Sequence, residues 1–159
     1  AMRGKLSGDV LASVMSALDT SNARCAEILL DCDASAMTDV SGFGLAGHLS
    51  EMTRASGAGA EVLLDRVPAL QDAVELLESG IASSLHANNA QALNDYEYSG
   101  SQPGRVQLLA DPQTAGGMLA SVPAERVLEC LARLHEAGYS QAASIGRVTD
   151  EGLCLSDGS

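Results

Sequence analysis

The chain has 159 residues, 46% of them hydrophobic, but only one Phe, three Tyr and no Trp. That is one domain's length, enough to bury roughly two thirds of its unfolded surface around Leu, Val, Ala and Met. Nine Lys and Arg stand against 21 Asp and Glu for a net charge of −12, which argues against nucleic acid and anionic membrane surfaces, since both demand clustered cations.

Leu11, Val14, Met15 and Leu18 recur at helical spacing after Asp9, a suitable cap. Ser21 is placed to cap a second helix through Ala26, Leu29 and Leu30. Ala34 to Val40 reads as a short strand, and Leu45, Leu49 and Met52 mark a helix stopped by Gly57. Ala60 to Leu64 reads as a strand, then Pro68 opens a helix through Leu70, Val74 and Leu77 that Gly80 closes. From Ile81 to Gly104, Asn, Ser, Gly and Gln dominate, which predicts a long loop with one helical turn. Arg105 to Ala110 reads as extended, and the Pro and Gly residues of Asp111–Gly117 force a turn into a strand over Met118–Val122. Pro123 starts a helix carrying Val127, Leu128, Leu131 and Leu134 as far as Gly138, and short strands follow at Ala143–Val148 and Leu153–Leu155. Helices and strands interleave without strict alternation, so the expected class is α+β, a mixed sheet covered by helices.

Cys25, Cys32, Cys130 and Cys154 form no C-x-x-C pair and have no His at zinc spacing. They read as buried small hydrophobes of a cytoplasmic protein, and no signal peptide or membrane-length apolar run is legible. The abrupt start, Ala1-Met2-Arg3-Gly4-Lys5 running almost at once into a helix, reads as an excised piece.

Two segments carry chemistry. In Met37–Gly47, MTDVSGFGLAG, the glycines 42, 44 and 47 spell G-x-G-x-x-G, and Asp65 follows at nearly ribose-binding distance. Asp39 stands three residues before the first glycine. A bare carboxylate repels a pyrophosphate, whereas one that holds Mg²⁺ against the phosphates attracts it, so the segment reads as a metal–phosphate element rather than a nicotinamide site. Backbone N–H groups at the start of the Leu45 helix can point at an anion. The competing reading is plain capping by Asp39 or Ser41 around a tight turn. The second segment, Asp111-Pro112-Gln113-Thr114-Ala115-Gly116-Gly117, reads either as a cleft-lining loop or as a simple hairpin turn. His48 reads as capping a core edge, His86 and His135 carry no constellation, and Asn88 and Asn89 read as fixing turns. No Lys falls near either turn, and no nucleophile–base arrangement is legible.

Together MTDVSGFGLAGHLSEM and DPQTAGG strongly resemble the C-terminal domain of selenide, water dikinase (selenophosphate synthetase), a family whose typical forms are T-D-V-T-G-F-G-L-x-G-H and D-P-Q-T-S-G-G-L-L. Ser83-Ser84-Leu85-His86 departs from the family's G-G-T-x-x-N form. The resemblance implies an AIR-synthetase-like fold over residues 1–159 and a parent enzyme that converts ATP, selenide and water into selenophosphate, AMP and phosphate with Mg²⁺. It implies as partners the parent's own N-terminal ATP-binding domain, absent from this chain, and a second copy in a homodimer. The Met2-Arg3-Gly4 lead-in resembles the branch fused behind a flavin-type oxidoreductase. By the same resemblance Asp39 reaches metal and ATP phosphates, Gly42 and Gly44 form the turn beside it, and Asp111, Gln113 and Thr114 line the cleft, while the nucleophile and the other metal-binding acids lie in the N-terminal part. Two alternatives stay open: a related domain of the aminoimidazole ribonucleotide synthetase, thiamine-phosphate kinase or hydrogenase-maturation-factor type, and a Rossmann-type dinucleotide module. The last predicts an uninterrupted apolar strand into Gly42, which Thr38, Asp39 and Ser41 break.

Overall fold

A computed structural model describes residues 8–158, apart from the side chains of 9–11 and 13; the Met2-Arg3-Gly4 lead-in lies outside them. Two helices open the chain, α1 (Gly8–Leu18) and α2 (Ala23–Asp31). Asp9 falls within α1 rather than ahead of it, and its side chain lies outside the described residues. Ser21 does serve the start of α2, its hydroxyl accepting the Ala23 N–H at 3.2 Å. Next come β1 (Ala36–Asp39), α3 (Gly44–Ser56) and β2 (Gly59–Leu63). A 3₁₀ turn at Leu64–Arg66 leads to α4 (Ala73–Glu78) and α5 (His86–Asn89). A second 3₁₀ segment, Ala90–Asp95, enters β3 (Tyr96–Tyr98), α6 (Pro103–Leu108) and β4 (Met118–Ser121). The chain closes with α7 (Val127–Glu136), β5 (Gly146–Thr149) and β6 (Leu153–Ser156).

The α+β class holds, with the strands divided between two sheets. β1 and β4 form an antiparallel ribbon in which Asp39 faces Met118. The other sheet has the order β3-β6-β2-β5, with β2 parallel to β6 and antiparallel to β5. Each has its own core. Cys25, Ile28 and Leu29 of α2, Cys32 just after it, and Cys130 and Leu134 of α7 pack with Met37, Met118 and Ala120 of the ribbon. Ala46, Val62, Leu64, Val67, Tyr96, Leu109 and Leu155 join α3 and α6 to the larger sheet. The chain therefore passes from ribbon core to sheet core between Asp39 and Gly44, and returns between Ala110 and Met118.

Three local expectations are corrected. Pro68 does not open a helix: Asp72 adopts φ +64 and only then does α4 begin at Ala73, because a left-handed residue cannot continue a right-handed turn. Arg105–Ala110 is not extended. Pro103 sits in the first turn of α6, where its missing N–H and fixed φ suit helix entry, and Arg105 donates to the Leu64 and Val67 carbonyls at 2.9 and 3.0 Å. The 81–104 stretch holds α5, a 3₁₀ segment and β3, so its polar composition hid a strand in which only Tyr96 is buried.

Candidate functional site

Both glycine-bearing motifs occupy crossings between the two cores, and they lie against each other. The Val40 N–H donates to the Gly117 carbonyl at 2.9 Å, and the Gln113 N–H donates to the Ser41 carbonyl at 3.0 Å. Asn22, from the start of α2, adds a bond to the Gly116 carbonyl at 2.9 Å. Close approach is what the glycines permit. A Cβ on Gly116 would lie 2.3 Å from the Val40 carbonyl oxygen, and one on Gly44, whose φ is +71, would lie 2.7 Å from that of Leu109. Gly42 and Gly117 have open space at that position.

The capping alternative does not hold at this turn. The residue ahead of α3 is Phe43, with no side-chain cap bond. The Ser41 hydroxyl lies 3.1 Å from His48 Nε2 instead, and among the described residues nothing hydrogen-bonds the exposed Asp39 carboxylate. The anion-facing expectation is narrowed too, because the Gly44 N–H is taken by the Ser41 carbonyl and that of Ala46 by the Leu109 carbonyl. Among the described residues the N–H groups of Gly42, Phe43 and Leu45 have no protein acceptor.

Asp111 is half-buried at the head of the second loop. Burial holds its carboxyl above the ordinary range, and the His86 imidazole partly offsets the shift. Gln113 turns back, its side-chain amide donating to the Asp111 carbonyl at 3.2 Å, and Thr114 is exposed at the rim. A Mg²⁺ ion takes hard oxygen donors in an octahedron. Asp39 offers one, and among the described residues no group of three metal-ligating side chains gathers anywhere, so the donors here fit one edge of such a site.

Two residues that composition passed over organise this surface. Asn89 Nδ2 donates to the Gly42 carbonyl at 2.8 Å and to the Ala110 carbonyl at 3.1 Å, tying the two crossings together. His86 is buried, with Nε2 3.0 Å from the Gln107 carbonyl. Neither role has a local signal, since the partners are backbone atoms of segments 47 and 21 residues away. The Rossmann alternative fails on topology. β1 has an antiparallel partner, and β2 after α3 lies in the other sheet, so no parallel βαβ unit exists here. Asp65 accepts a hydrogen bond from Gln102 at 2.7 Å, far along the chain from the glycine turn.

Residues 10–154 match the family model described as AIR synthase related protein, C-terminal domain. The chain belongs to this family. The domain is 36% identical over 149 residues to a selenide, water dikinase of Carboxydothermus hydrogenoformans, covering 92% of this chain and 43% of that protein. It is 36% identical over 150 residues to the Myxococcus xanthus protein of the same name, covering 92% and 42%. Selenide, water dikinase 2 of Peptoclostridium acidaminophilum is 32% identical over 149 residues, with 93% and 42% covered. The AIR-synthase-related domain thus spans about two fifths of the length of these curated relatives. Among solved structures, hydrogenase maturation protein HypE superposes with a TM-score of 0.50 at 25% identity, covering 82% of this chain and 34% of that one. Among the described residues no helix is long and apolar enough to cross a membrane.

Proposed function

We propose that this domain forms one wall of the Mg–ATP phosphate site of a selenophosphate synthetase, an enzyme making selenophosphate, AMP and phosphate from ATP, selenide and water. The carrying observation is the pair of interlocked loops with a free carboxylate at their edge. The Val40–Gly117 and Gln113–Ser41 bonds set the shape, Asp39 is exposed, and the N–H groups of Gly42, Phe43 and Leu45, three to six residues further along the chain, have no protein acceptor among the described residues. Asp39 and the metal's remaining ligands, from phosphate, water and the parent's N-terminal ATP-binding domain, would complete the coordination. Bound there, Mg²⁺ neutralises phosphate charge that this chain, with its −12, would otherwise repel. Gly42 would keep the backbone thin where phosphate oxygens approach, Gly44 lets the turn pack against the Leu109 backbone, and Asp111, Gln113 and Thr114 line the adjoining rim. The partners of this reading are the N-terminal domain and a second copy in a homodimer, with the flavin-oxidoreductase fusion as a further attachment.

The HypE likeness supports a second reading, a hydrogenase-maturation-type domain. The DPQTAGG loop and the dikinase relatives favour the first. The test is Asp39→Asn in the intact two-domain protein, which removes charge and keeps shape. Use of Mg–ATP should weaken by a factor on the order of 10 to 100, about 1.4 to 2.7 kcal/mol. Unchanged kinetics would refute the metal role, and AMP formation by this chain alone at the intact rate would refute the division between domains.

A further inference from the structure

His48 lies one turn into α3 and is 7% exposed. Its Nε2 is 3.1 Å from the Ser41 backbone nitrogen and 3.1 Å from the Ser41 hydroxyl. An amide N–H only donates, so Nε2 must present a lone pair, and the neutral ring then carries its proton on Nδ1. Nδ1 is the one buried side-chain polar atom among the described residues with no hydrogen-bond partner. A buried donor without an acceptor is a costly arrangement, and the Phe43 ring, edge-on with centroids 5.8 Å apart, offers it none. What the arrangement secures is the Ser41 residue. Its N–H is held by His48, while its carbonyl accepts from both Gly44 and Gln113. Asp39 lies two residues upstream.

We propose that His48 is a positioning residue: as a neutral, Nδ1-protonated imidazole it accepts the Ser41 N–H and presets the turn that presents Asp39 and the free N–H groups to a nucleotide's phosphates. The inference rests on the phosphate reading for its purpose, and on geometry alone for the tautomer. A preset turn binds without first ordering itself, so the gain appears in affinity more than in turnover.

Two measurements test it. In ¹⁵N-histidine-labelled chain, the His48 signals, assigned against His86 and His135 with His48→Gln, should show an unprotonated Nε2 and a protonated Nδ1; the opposite tautomer overturns the proposal. His48→Gln places a carbonyl acceptor near the Nε2 position, whereas His48→Leu places none. Exchange of the Ser41 amide should quicken about tenfold in His48→Leu and stay near the native rate in His48→Gln. In the intact protein the KM for Mg–ATP should rise several-fold in His48→Leu, with kcat changed less, and recover in His48→Gln. Equal behaviour of the two variants overturns the role. The tautomer and exchange arms contain no nucleotide, so they decide the role of His48 even if the intact wild-type protein turns over no ATP, a result that would instead refute the proposed reaction.

Discussion

Asn89→Asp is the sharpest probe of how the two motif loops are held, because it changes chemistry without changing volume. Both acceptors of the Asn89 amide are backbone carbonyls, at 2.8 and 3.1 Å, so the group facing them must be the NH₂. In the variant a carboxylate faces two carbonyl oxygens. Two lost hydrogen bonds at about 0.5–1.5 kcal/mol each give about 1–3 kcal/mol. The repulsion, together with the loss of a partner for the carbonyl of the fully buried Ala110, moves the value toward about 3 kcal/mol. For a chain of this size that corresponds to a fall in Tm of about 6–12 °C. The sign with pH follows from the carbonyl dipoles. They raise the folded-state pKa of the new carboxyl above its unfolded value of about 3.9, and the protonated acid can donate its O–H to one carbonyl. The deficit relative to wild type should therefore be smallest below about pH 4 and grow as the pH rises through the raised folded value. Urea denaturation of both proteins at pH 4 and pH 7 reads the difference directly. A loss below about 0.5 kcal/mol at pH 7, or a deficit that does not shrink at pH 4, refutes the latch.

Three further outcomes follow from the same structure. Gly44→Ala should lose about 2–4 kcal/mol in urea denaturation, from a left-handed φ and a 2.7 Å approach to the Leu109 carbonyl oxygen, whereas Gly42→Ala, with nothing within 4 Å, should stay within about 0.5 kcal/mol. Tyr96, buried with its hydroxyl donating to the Ala46 carbonyl at 2.8 Å and accepting from Ser50, has its pKa pushed up to about 12. The stability this contributes is complete below the unfolded value of about 10 and lost between pH 10 and 12, about 2–3 kcal/mol in all, and Tyr96→Phe should remove that alkaline slope. Asp157 accepts from the Ser101 N–H at 2.7 Å and from the Tyr98 and Ser101 hydroxyls at 2.9 and 3.0 Å, which holds its carboxyl below the usual range. Its contribution is present above the unfolded pKa and lost as the pH falls through the lower folded one, so Asp157→Asn should flatten the acid limb of the stability profile.

The sequence alone determined the elements whose signals are local. Apolar spacing marked α3 and α7, the short apolar runs marked β1, β2, β4 and β6, and the left-handed Gly57 closes α3 as its position indicated. It also singled out the two glycine-bearing motifs, because positive φ and close backbone approach leave few residue types available. Tertiary structure decided what those motifs do to each other. The crossings meet because two separate cores pull the chain from ribbon to sheet and back, and the atoms that join them are backbone carbonyls and amides, which every sequence carries alike. Asn89 and His86 took their roles from those long-range partners, so nothing in their own neighbourhoods announced them, whereas His48 reaches back only seven residues to Ser41 and lies within the quoted motif. The same limit explains β3. Tyr96 is strand-forming because Leu153 and the α3 backbone lie beside it, contacts that a polar stretch read by itself does not contain.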